Sequence, residues 1–388
     1  MNHNACPIPA LKVNVLSRHF IARGGLEKWA YRIAEGFSRK GAIVNILTSD
    51  TLPKNPTQSL IHYHTLPLTK WLNFQKMNQF DRLAQKWNKS HKADIIFGMD
   101  RTRHQTHIRA GNGVHAAYMK RRKAFERYSH YKGLINPLNQ TILKIEKEAF
   151  ESAELKVLFT NSYMVKNEVL EHYSVSPDKI EVIHNGAPWK EMDKDFNAWV
   201  EKKQRQCTDF CLDPTLYHFL FVGNGYERKG LTSLFRALAT LSNREFHLSV
   251  IGKDRNIETF IKLAKSLGIG NHVSFFGPVS DVRPFFQIAD SLVIPSHYDP
   301  FANVTVEALA MGLFVVSSKT NGGHEVLKEE TGTIIEDLSK IDSLRASLNQ
   351  AMEYPKTWLR SQTIRESVKH LDFSNQLSSY IDISLEER

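Results

Sequence analysis

Cysteine is scarce in this chain. Three occur in 388 residues, Cys6, Cys207 and Cys211, which excludes a fold stapled by several disulfides. Cys207 and Cys211 have no second pair of ligands at zinc-like spacing. Reduced, unpaired thiols are expected, and no metal site. The histidines agree with this, because no His-x-x-x-His pair comes with a carboxylate, and His62 and His64 alternate on what reads as a strand surface. No apolar run approaches the roughly 20 residues that cross a bilayer. The opening MNHNACPIPA lacks the charged-then-apolar pattern of a secretory leader, and a cytoplasmic location is the expectation. Short-period repeats and low-complexity segments are missing as well.

What is present is ordinary globular material with a charge bias. Hydrophobic residues make up 41% of the chain, and the length suits two domains of usual size. The formal net charge is +10. That sign favours nucleic acid, anionic lipid or phosphorylated small molecules, without choosing among them.

Strand and helix patterns alternate along the chain. Leu11 to Leu16 alternates as a half-buried strand does. Leu26, Trp29, Ala30, Ile33, Ala34 and Phe37 recur at helical spacing, Gly41 stands where a helix C-cap glycine belongs, and AIVNILT follows as a strand. This is a βαβ unit with parallel strands. ADIIFG (93–98), KVLFTN (156–161) and IEVIHNG (180–186) predict further strands, and SYMVKNEVLEHY (162–173) a helix. A second alternating series begins with the strand YHFLFVGN and runs to TGTIIE. Helices are expected near 341–353, 357–370 and 374–386. The reading is α/β, with two doubly wound domains and a cleft between them. Its parts are a first domain at 1–190, a polar, pattern-poor linker region at 191–213, a second domain at 214–355 and closing helices at 356–388.

Three stretches can carry chemistry. Gly24 and Gly25 lie between the first strand and the first helix, where backbone can approach an anion or simply turn tightly. They match neither a dinucleotide fingerprint nor a P-loop. FVGNGYERKG (221–230) puts Arg228 and Lys229 at a strand's carboxyl end, either as a solvated basic turn or as a grip on a diphosphate. SHYDPFANVTVEALAMG (296–312) holds Asp299 in a loop and Glu307 in the second turn of a helix, with Asn303 as expected N-cap. Two carboxylates so placed can accept from the vicinal hydroxyls of a ribose or hexose. A glycosidase-type acid/base pair is the rival reading, although a helix start suited to phosphate and nearby cations would then be superfluous.

These pieces resemble glycosyltransferase family 4, whose members are retaining, nucleotide-sugar-dependent enzymes with the GT-B fold of two Rossmann-like domains. GGLE (24–27), VGNGYERKG (222–230), PSHYDPFANVTVEALAMG (295–312) and NGGHEVL (321–327) come in the family's order. RAGNGVHAAYMKRRKAFERYSHY (109–131) is similar to a segment of the lipopolysaccharide-core glucosyltransferases that act on heptose.

The resemblance implies roles for particular residues. Gly24 and Gly25 would approach the donor diphosphate from the first domain, and Arg228 and Lys229 would grip it from the second. Glu307 would bind the donor ribose. Asp299 and the backbone of Phe301, Ala302, Asn303 and Val304 would hold sugar and phosphate. Arg109 and His115 would line the acceptor side, and the closing helices would pack back toward the first domain. No cofactor is implied, since the nucleotide sugar is itself the donor substrate. Asp299 departs from the family, which has Glu at this position. Thr106 stands where related core transferases place an Asp, unless a shift of a few residues brings Asp100 into play.

The basic segment 118–150 carries Lys120, Arg121, Arg122, Lys123, Arg127, Lys132, Lys144 and Lys147, interleaved with Phe125, Tyr128 and Tyr131. It suits anionic lipid headgroups or a phosphorylated acceptor. No nucleic-acid recognition motif accompanies it. The expected protein moves a hexose, glucose from UDP-glucose, to a lipid-linked glycan at the inner face of the cytoplasmic membrane. Its alternatives are a transferase using another nucleotide sugar, a sugar-nucleotide epimerase on the same fold, and a membrane- or RNA-associated binding protein.

Overall fold

β1 (Lys12–Leu16) is buried from Val13 onward, as a central strand covered on both faces must be. The helix that follows, Gly25–Arg39, lays Trp29, Ala30, Ile33, Ala34 and Phe37 into the core, and these are the positions of its apolar stripe. Gly41 then takes a left-handed φ of 84°, which lets the chain leave the helix and enter β2 (Ile43–Thr48). The two strands pair in parallel, Val13 opposite Val44 and Val15 opposite Ile46. A computed structural model of the chain describes residues 10–20, 25–51, 60–125 and 136–388.

The first sheet continues with β3 (Ile61–Thr65), β4 (Ile95–Gly98), β5 (His107–Arg109), β6 (Val157–Thr160) and β7 (Ile180–Val182). Its spatial order is β3-β2-β1-β4-β5-β6-β7. The second sheet comprises β8 (Tyr217–Val222), β9 (Phe246–Ile251), β10 (Val273–Gly277), β11 (Ser291–Ile294), β12 (Phe314–Ser318) and β13 (Gly332–Ile335). It runs β10-β9-β8-β11-β12-β13. Every recorded strand pairing in both sheets is parallel. In each sheet the order reverses beside its first strand, between β1 and β4 and between β8 and β11. Crevices for ligands open at the carboxyl ends of such reversals. The α/β, two-domain GT-B architecture expected from the sequence is the one found.

Three details differ from expectation. β5 was not foreseen, because three residues are too few to show a period. The stretch 191–213, expected to link the domains, forms helices Asp193–Asn197 and Trp199–Asp209. Its few apolar residues, Phe196 and Trp199 among them, join the second core, and the ammonium of Lys356 lies 4.6 Å from the Trp199 ring centroid. Asn303 is the first residue of its helix and not the N-cap, which is Ala302. Of the closing helices, Trp358–Ser367 contributes Ile364 to the second core. Phe373–Glu386 instead returns to the first domain, where Tyr380 and Ile381 pack with Trp29 and Phe37. The two helices come so close that a Cβ added at Gly36 would sit 2.9 Å from Ile381.

His107 in β5, His247 in β9 and His115 at the first residue of the helix His115–Arg121 are buried imidazoles. Burial pushes His107, His115 and His247 down to about 4, helped by nearby Lys156, Arg101 and His218 respectively. Each therefore takes its proton first in the unfolded chain. The stability these neutral rings contribute is complete above about pH 6.5 and is lost as pH falls toward 4, on the order of 3 kcal/mol for each. Glu146 and Glu168, raised by burial, act in the opposite sense. The melting temperature is expected to fall steadily from pH 6.5 to 4. A flat profile over that interval would contradict the burial of the three rings as neutral groups.

Candidate functional site

Two loops leave the carboxyl ends of neighbouring strands and meet. The loop after β8 ends in Arg228-Lys229-Gly230, and the loop after β11 holds His297 to Ala302. Gly230 permits the meeting. Its φ is 79°, and an added Cβ would lie 1.8 Å from the carbonyl oxygen of Pro295. Only glycine fits both demands. His297 N–H then donates to the carbonyl of Arg228 at 2.9 Å, which locks the loops in register.

Asp299 lies where they touch, largely buried. Its carboxylate pairs with the ammonium of Lys229, and Arg228 Nη1 stands 3.8 Å from the same oxygen while donating to the carbonyl of Tyr298 at 2.9 Å. The backbone of Asp299 is tied on both sides. Its N–H donates to Thr320 O, and its C=O accepts from Gly322 N, each at 2.9 Å. Asn321 completes the turn by accepting from the amide of Ala302 at 2.9 Å. The helix Asn303–Ala310 starts here, so its opening amides at Asn303 and Val304 have no intrahelical acceptor.

The first domain forms the facing wall. A depression of about 760 Å³, open to solvent, is lined by residues of both domains, among them Arg101, Asn112, His115, Arg228, Tyr298 and Asp299. His115 sits on it as a buried neutral ring whose Nε2 faces Asn139 Oδ1 at 3.1 Å, and its backbone N–H donates to Glu146 at 2.9 Å. Tyr298 crosses the boundary between the domains. Its hydroxyl donates to Glu168 at 2.9 Å and accepts from Val114 N–H at 3.2 Å. Gly113 makes room for it with a φ of 70°, and a Cβ there would stand 2.5 Å from that hydroxyl. Burial first, and Glu168 second, push the Tyr298 phenol well above its ordinary range. It is a fixed donor at neutral pH.

Cations, a carboxylate and helix-start amides around an interdomain cleft have clear relatives. The model for "Glycosyltransferase Family 4" matches residues 23–188, and that for "Glycosyl transferases group 1" matches 210–369. The chain belongs to the family 4 glycosyltransferases. It is 27% identical over 325 residues, 80% of each chain, to an uncharacterized glycosyltransferase of Methanocaldococcus jannaschii. Its fold is similar to that of WaaG, a glycosyltransferase involved in lipopolysaccharide biosynthesis, with a TM-score of 0.72 at 20% identity over 97% of this chain and 99% of that one. Sucrose-phosphate synthase of Thermosynechococcus elongatus is similar at TM-score 0.72 and 19% identity, covering 97% and 98%. HepE of Anabaena, solved in complex with UDP-glucose, is similar at TM-score 0.67 and 15% identity, covering 97% and 100%.

The residues expected at the transferase site divide into groups. Arg228, Lys229, Asp299 and His115 are brought together. Phe301 and Ala302 are buried in the second core, and Val304 and Glu307 follow on the half-buried face of the helix. Asn303 Oδ1 accepts from Asn185 of the first domain at 2.8 Å. Arg109 lines a neighbouring cavity of about 400 Å³ in the first domain, but its guanidinium is held by Asn185 at 2.9 Å and Tyr380 at 3.2 Å over the Trp29 ring. Thr106 is a correction. It precedes β5, at the amino end of that strand, and its hydroxyl is bound to the backbone of Ile96. Asp100, two residues past β4 at the carboxyl edge, lines the first-domain cavity instead. Gly25 begins the first helix, and Gly24 lies outside the described residues.

Sequence reasoning missed Tyr298, Arg101, Asn112 and Glu146. Tyr298 had one available signal, its place beside Asp299 in a loop between strand and helix. Among the described residues no group of three or more His, Cys, Asp or Glu could hold a metal.

Gly230→Ala is expected to cost about 2–4 kcal/mol through overpacking and positive φ. Gly225→Ala, at a φ of 73° with nothing near its Cβ, is expected to cost about 1 kcal/mol. Denaturant unfolding compares the two, and equal losses would remove the close approach at Pro295 from the account.

Proposed function

We propose that the protein is a retaining hexosyltransferase, moving glucose from UDP-glucose to a saccharide of a lipid-linked glycan such as the lipopolysaccharide inner core. The observation that carries this reading is the Lys229–Asp299–Arg228 cluster beside a helix start, facing His115 across the cleft. The involvement of WaaG in lipopolysaccharide biosynthesis supports the choice of acceptor class, and the complex of HepE with UDP-glucose supports the choice of donor.

In this reading the donor lies on the second domain. Arg228, Lys229 and the amides of Asn303 and Val304 meet the diphosphate, and their charge counts most as the sugar–phosphate bond breaks and the leaving group gains negative charge. Asp299 fixes the Lys229 ammonium in place and offers its remaining lone pairs to the sugar. Glu307 holds the ribose hydroxyls. The acceptor hydroxyl attacks from the side of the leaving phosphate, the new bond forms to the same anomeric carbon, and the proton passes to the departing phosphate oxygen. No side-chain base is required. His115, neutral at pH 7, places a polar but uncharged wall against the acceptor. Closure of the cleft excludes water, which would otherwise compete as acceptor.

The membrane part of the reading rests on the segment 118–150, of which 126–135 lie outside the described residues. Within the rest, Lys120 pairs with Glu171, Arg121 with Glu168 and Lys147 with Glu151, so the surface is less positive than its lysine and arginine count. Phe125, expected to interleave with cations at a lipid surface, instead stacks on His297 at 5.5 Å. Sedimentation with anionic liposomes tests what remains. No helix among the described residues is long and apolar enough to cross a membrane.

A panel of nucleotide sugars, screened by thermal shift and then by turnover on core oligosaccharide, tests the donor, and UDP-glucose is expected to lead both screens. Lys229→Ala is expected to lower kcat about 100-fold with the fold intact. Unchanged turnover would end the diphosphate role. Glu307→Ala is expected to weaken UDP about 10- to 100-fold by calorimetry, and an unaltered dissociation constant would take Glu307 out of the ribose site.

A further inference from the structure

The helix Tyr163–His172 belongs to the first domain, yet its amino end is completed by the second. Glu325 accepts from Tyr163 N–H at 2.8 Å and from Met164 N–H at 2.7 Å, one carboxylate oxygen to each. His184 Nε2, also of the first domain, lies 2.9 Å from the same carboxylate. Ser162 caps the third amide, accepting from Val165 N–H at 3.2 Å, and donates to Pro300 O at 2.9 Å. A carboxylate at a helix start is favoured by the helix dipole and by two charge-assisted hydrogen bonds. Burial alone would raise the Glu325 carboxyl, but His184 and the two amides outweigh it and hold it below its usual range.

The same short segment holds Asp299. Thr320 O and Gly322 N bracket the Asp299 backbone, and Gly322 packs so tightly that a Cβ would stand 2.1 Å from Pro300 O and 2.5 Å from Ser162 Oγ. We propose that Glu325 is a positioning residue for transfer. It docks the first domain onto the segment that fixes Asp299, and so sets the distance between the acceptor wall and the donor loop. This rests on the transferase reading above. Glu325 touches neither the Lys229–Asp299 pair nor the cleft wall at His115, so it acts through the docking of one domain on the other.

The test uses the full chain with Glu325→Ala and Glu325→Gln, read by small-angle scattering, turnover and UDP calorimetry. Glu325→Ala is expected to enlarge the radius of gyration and to lower kcat about 100-fold. The dissociation constant of UDP, a property of the second domain, is expected to stay within about twofold. Glu325→Gln keeps an acceptor for one amide and is expected to fall between Ala and the parent, which preserves the test if the Ala variant does not fold. Unchanged turnover, turnover lost with scattering unchanged, or UDP affinity lost together with turnover would each overturn the proposal. If the parent protein turns over no sugar donor, the functional reading fails, and the scattering comparison still decides whether Glu325 holds the domains together.

Discussion

Asp299 is held more firmly than a loop residue needs to be. Its carboxylate is bound to Lys229, its amide and carbonyl are both bound to the turn after β12, and its neighbours Tyr298 and Pro300 each accept or donate across to the first domain. A side chain fixed in this way cannot drift when a ligand enters. It holds the lysine ammonium beside the cleft that Asp299 lines, already ordered. The left-handed Gly230 meets Pro295, Gly322 meets Pro300 and Ser162, and Gly113 meets Tyr298 and Pro300, so each glycine admits a close contact in the loop that carries this residue or at its edge. Domain arrangement and site geometry are therefore coupled through it, since the bonds that shape the loop also join the two domains.

Much of this was legible in the sequence where a period or a local motif exists. The stripe Trp29, Ala30, Ile33, Ala34, Phe37 had the right spacing and became the buried face of the first helix. Arg228, Lys229 and Asp299 each sit just past an apolar run, and runs of that kind end at the ligand edge of a parallel sheet. The failures have equally local causes. β5 is too short to show alternation. Residues 191–213 carry so much charge that the contribution of Phe196 and Trp199 to a core is masked. Thr106 was placed by alignment to a pattern, and the parallel sheet puts it at the wrong end of its strand.

What no local reading reaches is pairing between distant residues. Tyr298 finds Val114 across 184 residues, and Glu325 finds Met164 across 161. Glu325 falls in NGGHEVL, one of the four stretches that resemble the family, but the resemblance assigned it no role. Its role emerges only when the helix of the first domain arrives with two amides to be satisfied. The basic segment shows the same effect in reverse. Its cations look available in sequence, and two of them, Lys120 and Arg121, pair with Glu171 and Glu168 of the helix Tyr163–His172.

The central claim is that the Lys229–Asp299–Arg228 cluster and the helix start beside it receive the diphosphate of a nucleotide sugar. The most direct measurement is a structure of the protein with UDP-glucose bound. The account predicts the diphosphate within hydrogen-bond distance of Lys229 and Arg228, the ribose on Glu307 and the glucose turned toward His115. A donor bound outside the interdomain cleft, or one whose phosphates make no contact with Lys229, would contradict it.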